Sequence, residues 1–207
     1  MGKLCKKNFR CVYECRRKTL KLLITMNKIF SLFLIILLSP LLLLVSMIVI
    51  LSSGLPVVHW SKRVGRKNQI FFMPKFRTMK NNTPQKATHL LKNNENYTTK
   101  FGYFLRKTSL DELPQLFCIL NGKMNFIGPR PALFNQNDLI KLRTLHSIHM
   151  QKPGITGLAQ VNGRDSLSVE QKVEEEKYYL KNKSLKLNIY ILLFTIFKIF
   201  KSDDISH

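Results

Sequence analysis

Ile29–Leu51, IFSLFLIILLSPLLLLVSMIVIL, is 23 consecutive residues without a charged side chain, and how it is read decides the fold. At 1.5 Å per residue it makes roughly 34 Å of helix, enough to cross a bilayer's hydrocarbon. Basic residues lie on both sides: Lys3 through Lys28 precede it with Glu14 as the one acid, and Lys62 through Lys80 follow with no acid before Glu95. Positive flanks on both sides conflict with a simple span, because basic residues close to a span stay on one face. A segment that dips in and returns satisfies both flanks, and Ser39-Pro40 supplies the break it needs. Pro40 cannot donate to the helix ladder, and the Ser39 hydroxyl can bond a freed carbonyl. A Pro-kinked helix that spans once fits the same residues.

The whole chain has 207 residues, 34 Lys and Arg against 12 Asp and Glu, and a formal charge of +22, so it needs an anionic partner. Apolar residues at 45% exclude global disorder. Cys5, Cys11, Cys15 and Cys118 are too few and too clustered for a disulfide scaffold. His146 and His149, one helical turn apart with no acid or thiol nearby in sequence, read as a solvated face rather than a metal site.

Beyond the apolar run, residues 57–80 read as extended and loop-rich, and 81–99 as an exposed polar loop. Leu113, Leu116, Phe117 and Leu120 fall at helical spacing before an Asn121-Gly122 stop. Helices are expected from Asp138 to about His149 and from Ser168 to Leu180. The apolar tail 187–200 is too short to span comfortably and suits a membrane interface or the underside of the domain.

Because acids are scarce, the adjacent pair in RKTSLDELPQL (Arg106 to Leu116) stands out. Ser109 and Glu112 fit a helix-capping box, which is a reading without any chemistry. A carboxylate in a first helical turn is kept ionised by the helix dipole, and Arg106 and Lys107 lie just upstream. KFRTM (Lys75 to Met79) places Lys75 and Arg77 on one side of an extended segment. IGPRP (Ile127 to Pro131) holds Arg130 between two prolines. PGITGLAQVNGR (Pro153 to Arg164) reads as a glycine-rich loop whose amides can approach a phosphate. Arg and Gly in these settings suit a bidentate grip on a diphosphate.

LDELPQL, KFRTM, GPRP and PGITGLAQVNGR, behind an apolar Ser-Pro segment, closely resemble the bacterial sugar transferases, the monotopic polyprenyl-phosphate phosphoglycosyl transferases, over about residues 22–200. The resemblance implies transfer of sugar-1-phosphate from a UDP-sugar to undecaprenyl phosphate with release of UMP and Mg²⁺ as cofactor. Asp111 matches the nucleophile that forms a covalent phosphosugar intermediate, and Glu112 the neighbouring acid that acts with the metal, so both are candidate metal ligands. Arg106 matches an arginine five positions before the nucleophile; Arg130 and Arg164 match phosphate or nucleotide contacts, joined by Lys75 and Arg77. The break at Ser39 and Pro40 matches a re-entrant hairpin. Leu158, Asp165, Phe117-Cys118 and Asn188 depart from the family pattern and bear on sugar choice and C-terminal packing, not on the acidic pair.

The expected fold class is therefore α/β, mostly helical with short strands: a small membrane-associated domain with a re-entrant helix-break-helix hairpin and amphipathic interfacial helices. Residues 1–28 form a basic segment suited to anionic lipid, 29–51 the broken membrane helix, and 52–207 a catalytic domain on the cytoplasmic face of a bacterial inner membrane. Two other classes fit parts of the sequence. Charge alone suits a membrane-anchored polyanion-binding protein, but no nucleic-acid module or interleaved aromatics accompany it. An inactive scaffold for glycan assembly would retain the fold, and the intact Asp111-Glu112 pair opposes it.

Overall fold

The structure is a computed structural model and describes residue 22 and residues 24–80, 97–163 and 166–201. Cys5, Cys11, Cys15, the basic segment before residue 22, most of the polar loop, Arg164 and Asp165 lie outside the described residues.

The uncharged run folds as two helices, α1 (Ile24–Leu37) and α2 (Ser39–Ser53), bent by 61°. Pro40 has no N–H for the carbonyl of Ile36, and the Ser39 hydroxyl donates to that carbonyl at 2.8 Å. The break thus sits at the expected dipeptide. The helices extend beyond the run at both ends, to Ile24 and to Ser53, and their 61° bend is well short of an antiparallel hairpin. No single described helix is long and apolar enough to cross a membrane, whereas the bent pair is, by length and composition.

Each half buries one stripe on the rest of the chain. Ser31 is fully buried and its hydroxyl donates to the Leu116 carbonyl at 2.7 Å. Leu34, Ile35 and Leu38 pack on a core of Phe71, Met73, Leu116, Ile119 and Met124. Val45 and Val49 of α2 join Phe76 and Leu105 in a second cluster. The other stripes, including Phe30, Phe33, Ile36, Leu43, Met47 and Leu51, stay exposed. Such an apolar area far exceeds the scattered exposed residues normal for a water-soluble surface.

Residues 57–80 form a hairpin of β1 (Val58–Val64) and β2 (Ile70–Phe76), antiparallel with Val58 opposite Phe76 and Val64 opposite Ile70. Period-two alternation sends Phe71 and Met73 inward and leaves Ile70 and Phe72 exposed, while Phe76, of the opposite parity, is buried in the second cluster with Val45 and Val49. Then come α3 (Lys100–Lys107), a 3₁₀ segment Leu110–Gln115, α4 (Leu116–Leu120) and β3 (Asn125–Ile127). Next are β4 (Ala132–Leu133), which pairs with the other edge of β1, α5 (Asn137–Leu145) and β5 (Gly154–Thr156), parallel to β3. Last come α6 (Leu158–Asn162), α7 (Val169–Lys181) and α8 (Leu185–Lys201). Helices dominate and the strands are short, as the α/β reading requires.

Several local readings are corrected. The helix expected through His149 stops at Leu145, because Ser147 takes a left-handed conformation (φ 58°) before a short 3₁₀ turn. The helix expected from Leu113 is a 3₁₀ turn up to Gln115, with Pro114 inside it, and becomes α-helical only at Leu116. PGITGLAQVNGR is not an open loop: it supplies β5 and α6. Its glycines serve chain packing, since a Cβ on Gly154 would lie 2.1 Å from the Gly128 nitrogen and one on Gly157 2.2 Å from the Gly128 oxygen. The tail helix begins at Leu185, two residues earlier than expected, and exposes apolar side chains including Leu193, Ile196 and Phe197.

Candidate active site

The acidic pair sits on the 3₁₀ turn, which follows a left-handed Ser109 (φ 56°) whose side chain caps nothing. The capping-box reading therefore fails. Glu112 turns inward, where its Oε1 accepts from Lys75 Nζ of β2 and from Arg130 Nη2 of the β3–β4 loop, both at 2.8 Å. Asp111 Oδ2 lies 3.9 Å from the same Lys75 ammonium. Both acids are only 8% exposed and therefore largely desolvated.

Arg106, on the last turn of α3, donates from Nε to Thr78 Oγ1 at 2.9 Å and adds a positive field at Asp111. That anchor depends on Gly102, since a Cβ there would fall 2.1 Å from the Thr78 carbonyl oxygen. Three motifs far apart in sequence are thus brought together: Lys75 from KFRTM, Asp111 and Glu112 from LDELPQL, and Arg130 from GPRP. Arg77 goes elsewhere. Its backbone N–H bonds the Val57 carbonyl at 2.8 Å, and its guanidinium donates to Leu55 O at 3.3 Å, just past the end of α2.

Burial dominates the electrostatics. It raises the Asp111 carboxyl above the ordinary aspartate range; Lys75 pulls the other way, Glu112 adds to the rise, and Arg106 and Arg130 oppose it. Burial also lowers the Lys75 ammonium, with Glu112 as the main opposing influence. The result is a carboxylate poorly solvated by water yet flanked by cations.

Among the described residues no group of three or more His, Cys, Asp or Glu side chains converges to hold a metal. The protein donors here are the adjacent carboxylates of Asp111 and Glu112, and Mg²⁺ is held by one or two carboxylates when phosphates and waters complete its shell. The donor set fits that ion.

The bacterial sugar transferase family model matches residues 18–202. The chain belongs to the bacterial sugar transferase family. It is 38% identical over 175 residues to the uncharacterized sugar transferase EpsL of Bacillus subtilis, covering 84% of this chain and 85% of that protein. It is 39% identical over 173 residues to the UDP-glucose:undecaprenyl-phosphate glucose-1-phosphate transferase of Escherichia coli, covering 79% of this chain and 37% of that one. The undecaprenyl-phosphate galactose phosphotransferase of Salmonella typhimurium is 34% identical over 194 residues, with 86% and 40% covered. This sugar transferase therefore spans most of the Bacillus relative but under half the length of the other two.

Some residues that build the site carry no signal of their own in sequence. Thr78 is quoted within KFRTM, yet its role depends on Arg106 arriving from 28 positions away. Arg143 and Glu176 are both buried and bond each other, and Arg143 also donates to the Arg130 carbonyl. A clue for Glu176 existed: it is one of 12 acids in a chain with 34 cations.

Proposed function

We propose that this sugar transferase moves a sugar-1-phosphate from a UDP-sugar to undecaprenyl phosphate, releasing UMP, by way of a covalent intermediate on Asp111. The carrying observation is the buried Asp111-Glu112 pair held by Lys75 and Arg130. A carboxylate oxygen of Asp111 attacks the β-phosphorus of the UDP-sugar. The bond between that phosphorus and the bridging oxygen breaks, UMP leaves with the bridging oxygen, and an aspartyl phosphosugar remains. A phosphate oxygen of undecaprenyl phosphate then attacks the same phosphorus, which frees the Asp111 carboxylate and gives the lipid diphosphosugar.

Lys75 and Arg130 hold Glu112 beside the reacting carboxylate, and Lys75 and Arg106 lessen the repulsion between Asp111 and the diphosphate. Bound Mg²⁺, with Asp111 and Glu112 as its protein ligands, supplies further charge neutralisation at the diphosphate oxygens. Arg164 completes the set of phosphate contacts carried over from the family motif.

The acceptor is a membrane lipid, and the exposed apolar side chains of α1, α2 and α8 support a site at the membrane boundary. The bend at Ser39-Pro40, with cationic flanks on both sides, supports re-entry from the cytoplasmic face of a bacterial inner membrane, and the basic segment before α1 adds attraction to anionic lipid.

The test uses UDP-sugars labelled in the sugar, without lipid acceptor. Label is expected on the wild-type chain in the presence of Mg²⁺, lost with chelator and absent from Asp111→Asn; equal labelling of Asp111→Asn rejects the mechanism.

A further inference from the structure

Arg143 and Glu176 lie outside the acidic pair's own contacts, on α5 and α7, yet they reach it through one residue. Arg143 is 8% exposed and Glu176 4%. Arg143 Nε donates to Glu176 Oε2 at 2.8 Å and its Nη2 to Oε1, a side-on two-point pair. The remaining branch, Nη1, donates to the backbone carbonyl of Arg130 at 2.9 Å. Arg130 in turn donates from Nη2 to Glu112 Oε1.

We infer that Arg143 and Glu176 are positioning residues, a buried clamp that holds the Pro-Arg-Pro loop so that the Arg130 guanidinium stays on Glu112. A pocket lined by Arg130 and Arg143 with Pro129, Pro131, Ile148 and His149 leaves the loop's flank incompletely filled. The carbonyls on either side have other donors, Gly154 N–H for Pro129 and Arg63 Nη1 for Pro131, and the Arg143 guanidinium serves the Arg130 carbonyl between them. Nor is the pair explained as a stabilising device. Burial raises the Glu176 carboxyl against the pull of Arg143, and a buried ion pair is often no more stable than apolar side chains of the same volume. What apolar residues cannot supply is a donor of fixed direction to Arg130. Glu176 locks the planar fork, and the fork aims its free edge at the loop.

The effect on turnover rests on the proposed function, so the test has one readout that does not. The full chain with ¹⁵N-labelled arginine, in detergent micelles, is observed by the side-chain N–H signal of Arg130, assigned by its disappearance in Arg130→Lys. Arg143→Lys and Glu176→Gln are expected to lower that signal's protection from solvent exchange about tenfold, the factor of one charge-assisted hydrogen bond. Unchanged protection in folded variants overturns the clamp. The second readout is kcat/KM for UMP release in a double-mutant cycle. Glu176→Gln should cost about tenfold in the wild-type background and nothing further in an Arg130→Ala background. Equal losses in both backgrounds mean a merely structural pair and also overturn it. Glu176→Gln preserves shape and carries both measurements should Arg143→Lys not fold. A wild-type chain that releases no UMP from any UDP-sugar sinks the proposed function alone, and the Arg130 signal still decides the clamp.

Discussion

Replacing Lys75 by Met removes a cation that lies against both acids and keeps the length of its side chain. At an effective dielectric constant near 20, an ion pair at the 2.8 Å separation from Glu112 is worth about 6 kcal/mol, and the 3.9 Å separation from Asp111 about 4 kcal/mol. Desolvation of the ammonium offsets much of this sum, leaving about 3–5 kcal/mol for a buried pair broken from one side. Arg130 still serves Glu112, so the lower end of that range is expected. The sign with pH follows from the two shifts. Asp111 sits above its ordinary value in the folded chain, so its ionised form costs stability above the unfolded-state value, and the cost is relieved as pH falls through the folded one. Without Lys75 the carboxyl rises further. The stability gap between variant and wild type narrows on acidification as the acids protonate. At alkaline pH it does not narrow: Lys75 is lowered in the folded chain, so as pH rises through its folded value the unfolded wild type holds the extra proton and wild-type stability increases. Denaturant unfolding in micelles across pH reads this directly, and the acid limb of the kcat/KM profile for UMP release should move to higher pH. A Lys75→Met chain within 1 kcal/mol of wild type at neutral pH, with an unmoved acid limb, would refute the reasoning.

Two further outcomes are expected. Gly102→Ala should destabilise by about 2–3 kcal/mol, because its Cβ meets the Thr78 backbone rather than a yielding side chain, and it should lower activity as α3 carries Arg106 away from Thr78; a lowered Tm together with reduced UMP release checks it. Ser39→Ala with Pro40→Ala restores an N–H for the Ile36 carbonyl and allows one helix over residues 24–53, about 45 Å long. Cysteine-accessibility probes on the two flanks should report one face in wild type and opposite faces in that variant.

Much of the chemistry was legible because acids are rare here. With 34 cations in the chain, a cation near Asp111-Glu112 was a foregone expectation, and Lys75 and Arg130 were named from their motifs. Arg77 was named by the same strand-alternation argument and goes instead to the Leu55 carbonyl: β2 ends at Phe76, so the alternation that faces Lys75 toward Glu112 has lapsed one residue later. The Ser109 cap misled because the spacing S-x-x-E is satisfied equally by a left-handed residue entering a 3₁₀ turn, and backbone handedness at one position is not written in spacing. The glycines of PGITG looked like phosphate ligands; they are where two backbone segments, β5 and the Gly128 loop, come too close for any Cβ.

Sequence by itself determined the properties that depend on composition and neighbours along the chain: an uncharged run of 23 residues, a break where proline withdraws a donor, an excess of cations and a scarce adjacent acid pair. These follow from local covalent chemistry and from the cost of charge in hydrocarbon. Tertiary structure decided which cations meet which acids, that Asp111 is desolvated enough for its carboxyl to rise, and that Arg143 and Glu176 reach the site through a single carbonyl. Those depend on distances between residues 13 to 37 positions apart, and on burial, which exists only once the chain has closed around them.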